Sequence, residues 1–478
     1  MVTSVENVVV VSNRGPLAFS YGPDGTLVAR RGAGGLVASL GPLVAGTGAG
    51  WVAAAITDAD REAAARGLVE AEGFRLWSLA LDPDDYRMAY DVVSNATLWF
   101  LHHGIYDLAR RPLFDRRWRD AWAAYQRVNR AFAATTAEVA PPGGVVLVQD
   151  YHLSLVGYWL RQQRPDLHLV HFSHTPFCGP NSIRVLPEDC AAELLVAMSA
   201  YTACGFHTER WARAFRACCT EVTGAAPPTF VSPLGPDADA LAEAAASEEV
   251  AAEGTWVETV SGGRRIVLRV DRLELSKNLL RGFHAFDDLL RTHPEWRGRV
   301  VFIALVYPSR EGLPEYLAYR NEVEHLAARL NERWGTDDWT PVVLDTTDNY
   351  PRSVAALQRY DVLLVNPVRD GMNLVAKEGP LLNRVDGAVV LSREAGAWDE
   401  LAPHALEINP FDVAGTADAL ARALALTPAE RAARARALAA AAGARSPRDW
   451  LADQLAAAGL EPPAAGRGAP RHGAARGR

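Results

Sequence analysis

No stretch of the 478 residues approaches the roughly 18 consecutive apolar positions that a membrane-spanning helix requires. The N-terminal MVTSVENVVVVSN also places no basic residue ahead of its apolar run, as a secretory leader would. A cytoplasmic protein with no membrane partner is the expectation. Cations are not in excess either: a net charge of −8 offers no general basic face for nucleic acid, although a local cluster can still hold a small anion. Cysteine is scarce. Cys178, Cys190, Cys204, Cys218 and Cys219 are odd in number, crowd into one region and lack paired spacing, which argues for reduced core thiols rather than disulfides or zinc. His168, His171 and His174 repeat like metal ligands, but on a strand His171 points away from the other two. No metal and no other cofactor are expected.

What is present is ordinary globular composition, 49% hydrophobic and 22% charged, over more length than one core usually serves. Short Val/Ile/Leu runs alternate with longer helical stretches, the pattern of an α/β chain with parallel sheets. Strands are predicted at 7–13, 145–150, 167–174, 202–207 and 229–235. A second set follows at 264–272, 299–308, 340–347, 361–368, 387–392 and 405–410. Between the sets, 235–263 turns polar and Ala-rich and closes on Gly262-Gly263. The division expected is an N-terminal Rossmann-like domain over 1–235, a C-terminal one over 236–445, a helix over 446–460 and a disordered tail over 461–478. The Ala/Arg-rich 416–445 reads as surface helix.

The stretch VNPVRDGMNLVAKEG, 365–379, joins a buried strand to a helix start through a tight turn. In open parallel sheets, ligands bind beyond the carboxyl ends of strands, where loops feed helix N-termini. Gly371 is read as permitting the turn, with the helix opening near Met372 or Asn373 and its free N–H groups suited to phosphate oxygens. Asp370 repels phosphate, so it is read as an acceptor for sugar hydroxyls, and Glu378 as an acceptor for a ribose. DRLELSKN, 271–278, ends another strand and supplies Arg272 and Lys277, the positive charge that a leaving diphosphate needs. SNRGP ends the first strand with Arg14, and RRGAGGL brings Gly32, Gly34 and Gly35 before a helix, where bare backbone can approach an anion.

With SNRGP, GAGGL, YDVVSNATLWF, QDYHLSLV, HFSHTPF, DRLELSKN, YPSR, RDGMNLVAKE and INPFD taken in order, the chain resembles the trehalose-6-phosphate synthases, most like their actinobacterial branch. The resemblance implies a retaining glycosyltransferase of GT-B architecture, two facing Rossmann-like domains with a cleft between them. Its substrates would be a nucleotide-glucose donor, GDP-glucose or UDP-glucose, and glucose 6-phosphate, giving α,α-trehalose 6-phosphate; a homo-oligomer is compatible with it. By resemblance, Arg272 and Lys277 bind the donor diphosphate with the backbone of Gly34, Gly35, Met372, Asn373 and Leu374. Asp370 and His174 hold the transferred glucose, and Glu378 the ribose. Asp150 orients the acceptor, while Arg14, Tyr90, Trp99 and Arg310 enclose it, with both arginines and Tyr90 at its phosphate and Trp51 along the same cavity. Asp150, His174, Arg272 and Lys277 form the catalytic set.

No carboxylate nucleophile is evident, which accords with direct front-face transfer. Many relatives read LDYSKG and HDYHL where this chain has LELSKN and QDYHL, and Asn278 and 344–350 lie where the donor base is expected. Two other readings share the fold: a cyclitol-joining pseudoglycosyltransferase resembling validoxylamine phosphate synthase, and a non-catalytic sugar-phosphate sensor.

Overall fold

The structure, a computed structural model, describes residues 5–32, 35–310 and 312–459. Gly34 and the tail 461–478 lie outside the described residues. The chain first lays down β1 (Val8–Ser12), the hairpin β2 (Leu17–Tyr21) and β3 (Leu27–Arg31), β4 (Gly50–Ala54), β5 (Val69–Ala71) and β6 (Phe74–Leu79). Then come β7 (Val145–Gln149), β8 (His168–Ser173), β9 (Ala203–Phe206) and β10 (Thr229–Val231). Eight of these form one sheet in the order β10-β9-β8-β7-β1-β4-β6-β5, parallel except for the β5–β6 pair. VVVVS of β1 and VVLVQ of β7 are buried throughout, as continuous apolar strands covered on both faces should be. The hairpin β2–β3 and the strands β4, β5 and β6 went unpredicted. GWVAA of β4 is built largely from small residues, and Gly50 is required because a Cβ there would sit 2.9 Å from the Trp77 ring.

The second sheet contains β11 (Arg265–Arg272), β12 (Val300–Tyr307), β13 (Val342–Asp345), β14 (Val362–Val365), β15 (Ala388–Ser392) and β16 (Leu406–Ile408). All six run parallel in the order β13-β12-β11-β14-β15-β16. The order reverses between β11 and β14, so their loops leave toward opposite faces and a crevice opens at their carboxyl ends. In the first sheet, β1 occupies the matching position between β7 and β4.

The polar stretch between the sheets is helical. Ala238–Ala245 and Glu248–Ser261 are capped by Asp237 and Ser247, and bury Leu241, Val250 and Val257 against the second sheet. The expected surface helix over 416–445 holds for Pro428–Ala442, which buries only Leu438 and Ala442, and is corrected for the part before it: Val413–Ala425 is a core element, with Ala417, Ala419, Leu420 and Ala423 at 0–2% exposure against helix Leu279–Thr292. Alanine there permits close helix approach, which composition alone reads as surface. The last helix, Pro447–Ala457, returns to the first domain and buries Trp450, Leu451 and Leu455 with Val8, Val10 and Trp51. Trp51 is therefore core rather than cavity lining, its indole N–H donating to Ser12 Oγ at 2.8 Å.

Candidate active site

The two sheets meet at their carboxyl ends, and the contact is backbone against backbone. A Cβ on Gly371, after β14, would fall 1.8 Å from the carbonyl oxygen of His174, after β8, and one on Gly396 would fall 1.9 Å from Gly371 O. Gly371 is needed for this stacking and not, as the sequence suggested, for a turn; the left-handed position is Asn373, at φ 75°. The helix also starts later than predicted, at Val375, with the Asn373 side chain accepting from Ala376 N–H and donating to Asp370. Glu378 is thus in its first turn. Met372 buries its side chain in the second core and leaves only backbone for a ligand, while Leu374 packs against both domain cores.

At the β11/β14 crevice Lys277 Nζ lies 2.6 Å from Asp370 Oδ2 and 3.6 Å from Asp271 Oδ1. Burial favours the uncharged forms of Lys277 and Asp370, but each offsets it for the other: the lysine pKa is raised and that of Asp370 lowered. Both stay ionised. Arg272, its side chain about half exposed, pairs with Glu274 at 3.1 Å and is held charged by it. Glu274 was not anticipated. It is 1% exposed, accepts from Arg310 Nη1 at 3.0 Å and Ser309 Oγ at 2.9 Å, and despite burial is held down to about 2 by Arg272, Arg310 and Lys277.

Arg310 is a polar link to the first domain. Its Nε donates to Asn95 Oδ1 at 2.9 Å and Nη2 to Tyr151 Oη at 3.3 Å, and the guanidinium lies 4.6 Å from the centre of the Trp99 ring. Trp99 is 2% exposed, so it supports Arg310 from beneath. Tyr90 stacks between Tyr86 and His152, and both Arg14 and Arg310 disfavour a charge on His152, after burial itself. Arg14 is exposed on its loop beyond β1. Gly32 N–H donates to Pro16 O, joining the two N-terminal loops, and Gly35 opens helix Gly35–Val44 at the surface.

Asp150 sits beyond β7 at φ 71°, a strained setting for a non-glycine, and its Oδ1 accepts from His174 N–H at 3.2 Å. Burial pushes it up to about 6 against the N–H groups of Tyr151, His174 and Thr175. Glu378 has no hydrogen-bond partner among the described residues and burial raises it to about 7. The crevice therefore offers a cation pair, a bonded carboxylate and two carboxylates of weakened acidity. Such a set suits binding of an anionic group beside hydroxyls. Among the described residues no group of three or more His, Cys, Asp or Glu side chains is arranged to hold a metal ion, and all five cysteines are free and buried.

The model of glycosyltransferase family 20 matches residues 6–458. The chain belongs to that family. Curated family 20 relatives include a Thermoproteus tenax bifunctional trehalose-6-phosphate synthase/phosphatase, 33% identical over 90% of this chain. This chain spans 60% of that protein's length. A trehalose-6-phosphate synthase of Mycobacterium sp. (strain JLS) is 34% identical over 90% of this chain and 91% of its own. Among solved structures, one from E. coli bound with UDP-2-fluoro glucose is 28% identical with a TM-score of 0.83, covering 95% of this chain and all of its own. A UDP-forming α,α-trehalose-phosphate synthase from Burkholderia xenovorans, in complex with glucose-6-phosphate, is 28% identical with a TM-score of 0.82 over the same shares. The family 20 chain is a glycosyltransferase with the GT-B arrangement of two Rossmann-like domains. Among its described residues, no helix is long and apolar enough to cross a membrane.

Sequence reading missed Glu274, Asn95 and Lys377. Lys377, fully buried, donates to Leu234 O of the first domain at 3.0 Å and pairs with Glu400 at 2.8 Å. All three lie inside motifs already singled out, yet only tertiary placement shows that each orients another group. Asn278, read near the donor base, is buried and donates to Asn366 O and Pro410 O.

Proposed function

We propose that this glycosyltransferase moves glucose from a nucleotide-glucose to the anomeric hydroxyl of glucose 6-phosphate with retention, giving α,α-trehalose 6-phosphate. The observation that carries the reading is the Lys277–Asp370 pair at the β11/β14 crevice, which places a buried cation and a sugar-type acceptor within one hydrogen bond of each other. In this reading Lys277 and Arg272 stabilise the charge that develops on the diphosphate as its bond to the sugar C1 breaks. The departing phosphate oxygen takes the proton of the incoming hydroxyl, whose oxygen forms the new bond to C1 on the same face. Asp370 and His174 hold the glucosyl hydroxyls, and Glu378, ionised, accepts from the ribose. Asp150 orients the acceptor, and Arg14, Arg310 and Tyr90 receive its phosphate. The UDP-forming relatives favour UDP-glucose as the donor, with GDP-glucose as the competitor.

Incubation of the purified protein with glucose 6-phosphate and each nucleotide-glucose separately tests this. The expected products are the free nucleoside diphosphate and an α,α-linked disaccharide phosphate by proton NMR. A β-linked product, or none with any donor, would overturn it.

A further inference from the structure

The imidazole of His174 is reached from the far end of the chain. Helix Pro447–Ala457 sets Trp450 against Phe172 and His174, with ring centres 5.0 and 5.4 Å apart, and Asp453 anchors it by accepting from Ser232 Oγ at 2.8 Å. One turn after Trp450, Gln454 Nε2 faces the Trp450 carbonyl at 3.5 Å. A carbonyl only accepts, so Gln454 presents its oxygen to the other side, where Gln149 Nε2 donates to it at 3.1 Å. Gln149 must then turn its own oxygen toward His174 Nε2, 3.0 Å away. An amide oxygen cannot donate, so that ring nitrogen carries the hydrogen. Gln149 is 1% and Gln454 0% exposed, which leaves no water to reverse the order. Burial, and then the neighbouring His207 and His171, keep the ring uncharged. Its Nδ1 is therefore a bare lone pair.

We propose that Gln149 and Gln454 are positioning residues that lock His174 in its Nε2–H tautomer, so that Nδ1 meets the transferred sugar as an acceptor and demands a hydroxyl hydrogen there. The proposal rests on His174 lying in the glucosyl pocket, as in the function proposed above. Its chemical consequence is selectivity. A neutral imidazole free to exchange tautomers offers either a donor or an acceptor and tolerates any small polar substituent. A locked one rejects a group that has lone pairs but no hydrogen, such as fluorine, because nothing then satisfies Nδ1. A histidine at position 149 would offer one ring nitrogen in either state; glutamine linked to a buried second glutamine offers a fixed polarity.

Two measurements test it. Histidine-selective 15N NMR, with the His174 signals identified by their loss in His174→Asn, should show a pyrrole-type Nε2 and a pyridine-type Nδ1 without substrate. In Gln149→Leu or Gln454→Leu the two shifts should move toward an average. The reverse tautomer in the unaltered protein, or an unchanged spectrum in a folded leucine variant, would overturn the lock; should neither variant fold, the spectrum of the unaltered protein decides. In turnover, one of the 3-, 4- or 6-deoxyfluoro UDP-glucose analogues should be used at least about 30-fold less well than UDP-glucose, and Gln149→Leu should narrow that ratio about tenfold while leaving the KM for glucose 6-phosphate unchanged. Equal narrowing at all three positions would refute the specific contact. Absence of any glucosyl transfer alongside the expected spectrum would refute the functional reading and leave the tautomer lock standing.

Discussion

Lys277 Nζ and Asp370 Oδ2 lie 2.6 Å apart across the reversal point of the second sheet, so the cation assigned to the diphosphate and the carboxylate assigned to the sugar hold each other. Each is largely buried and each keeps the other charged. Lys277→Ala should lower kcat at least about a hundredfold, the scale for loss of one stabiliser of developing charge. It should also destabilise the fold by about 3 kcal/mol, because Asp370 is left buried without its cation, while Asp271 keeps Arg269 at 3.0 Å. Turnover of the folded variant and its urea midpoint check the two effects separately; unchanged turnover would remove Lys277 from the donor site.

Glu274 joins the two halves of the proposed reaction, pairing with Arg272 on the donor side and Arg310 on the acceptor side. Glu274→Gln keeps the shape but loses the charge that fixes both guanidinium groups. Its kcat/KM should fall at least about tenfold for donor and acceptor alike, since charge-assisted bonds to two cations weaken together. An effect on only one substrate would show that the carboxylate serves a single arginine.

The sheets were legible in the sequence where apolar runs are continuous: every strand of the second sheet is near its predicted place, as are β1 and β7–β10. The strands β2 to β6 were not, because β2, β3 and β5 are partly or fully exposed except at Leu17, GWVAA relies on small residues and FRLWSL mixes burial with partial exposure, so none stands out as a Val/Ile run. The same limit applied to the site. Arg272, Lys277 and Asp370 are conspicuous because charge beyond a parallel strand needs an explanation. Glu274 and Gln149 act on other side chains, and the distances that create their roles span 36 residues to Arg310 and 305 to Gln454. Periodicity carries no trace of such pairings.

Arg14 and Arg310 were given one task, yet their settings predict different costs. Arg310 binds Glu274, Asn95, Tyr316 and Tyr151, whereas the Arg14 side chain is exposed. Arg14→Ala should leave the urea midpoint nearly unchanged and reduce kcat/KM for glucose 6-phosphate by about 2–4 kcal/mol. Arg310→Ala should cost that and roughly 3 kcal/mol of stability besides, because buried Glu274 and Asn95 lose a partner. Equal stability losses would contradict the placement.

Glu378, raised to about 7 by burial from an ordinary 4.5, gives a pH signature of known sign. The folded protein takes up its proton more readily than the unfolded chain, so this group lowers stability as pH rises from about 4.5 to about 7. Glu378→Gln should therefore melt higher than the unaltered protein at pH 8 and about equally near pH 4. Ribose binding needs the ionised form, so donor affinity should weaken below pH 7 in the unaltered protein and lose that dependence in the variant. Thermal melts and donor titrations over this range check both; a variant less stable at pH 8 would contradict the assigned shift.

Trp450 ties the last helix to the opposite domain. The ring is 0% exposed and lies edge-on to Phe172, in the core shared by Val8, Val10 and Trp51. Trp450→Ala should cost about 3–5 kcal/mol, the range for removing a buried aromatic and leaving a cavity. Trp450→Phe should recover much of that, since the indole N–H has no hydrogen-bond partner among the described residues. The same cavity loosens the segment carrying Gln454, so Trp450→Ala should impair donor use more than use of glucose 6-phosphate, measured as separate kcat/KM values on the folded variant. Equal loss for both substrates would mean that the helix stabilises the first domain without shaping the sugar pocket.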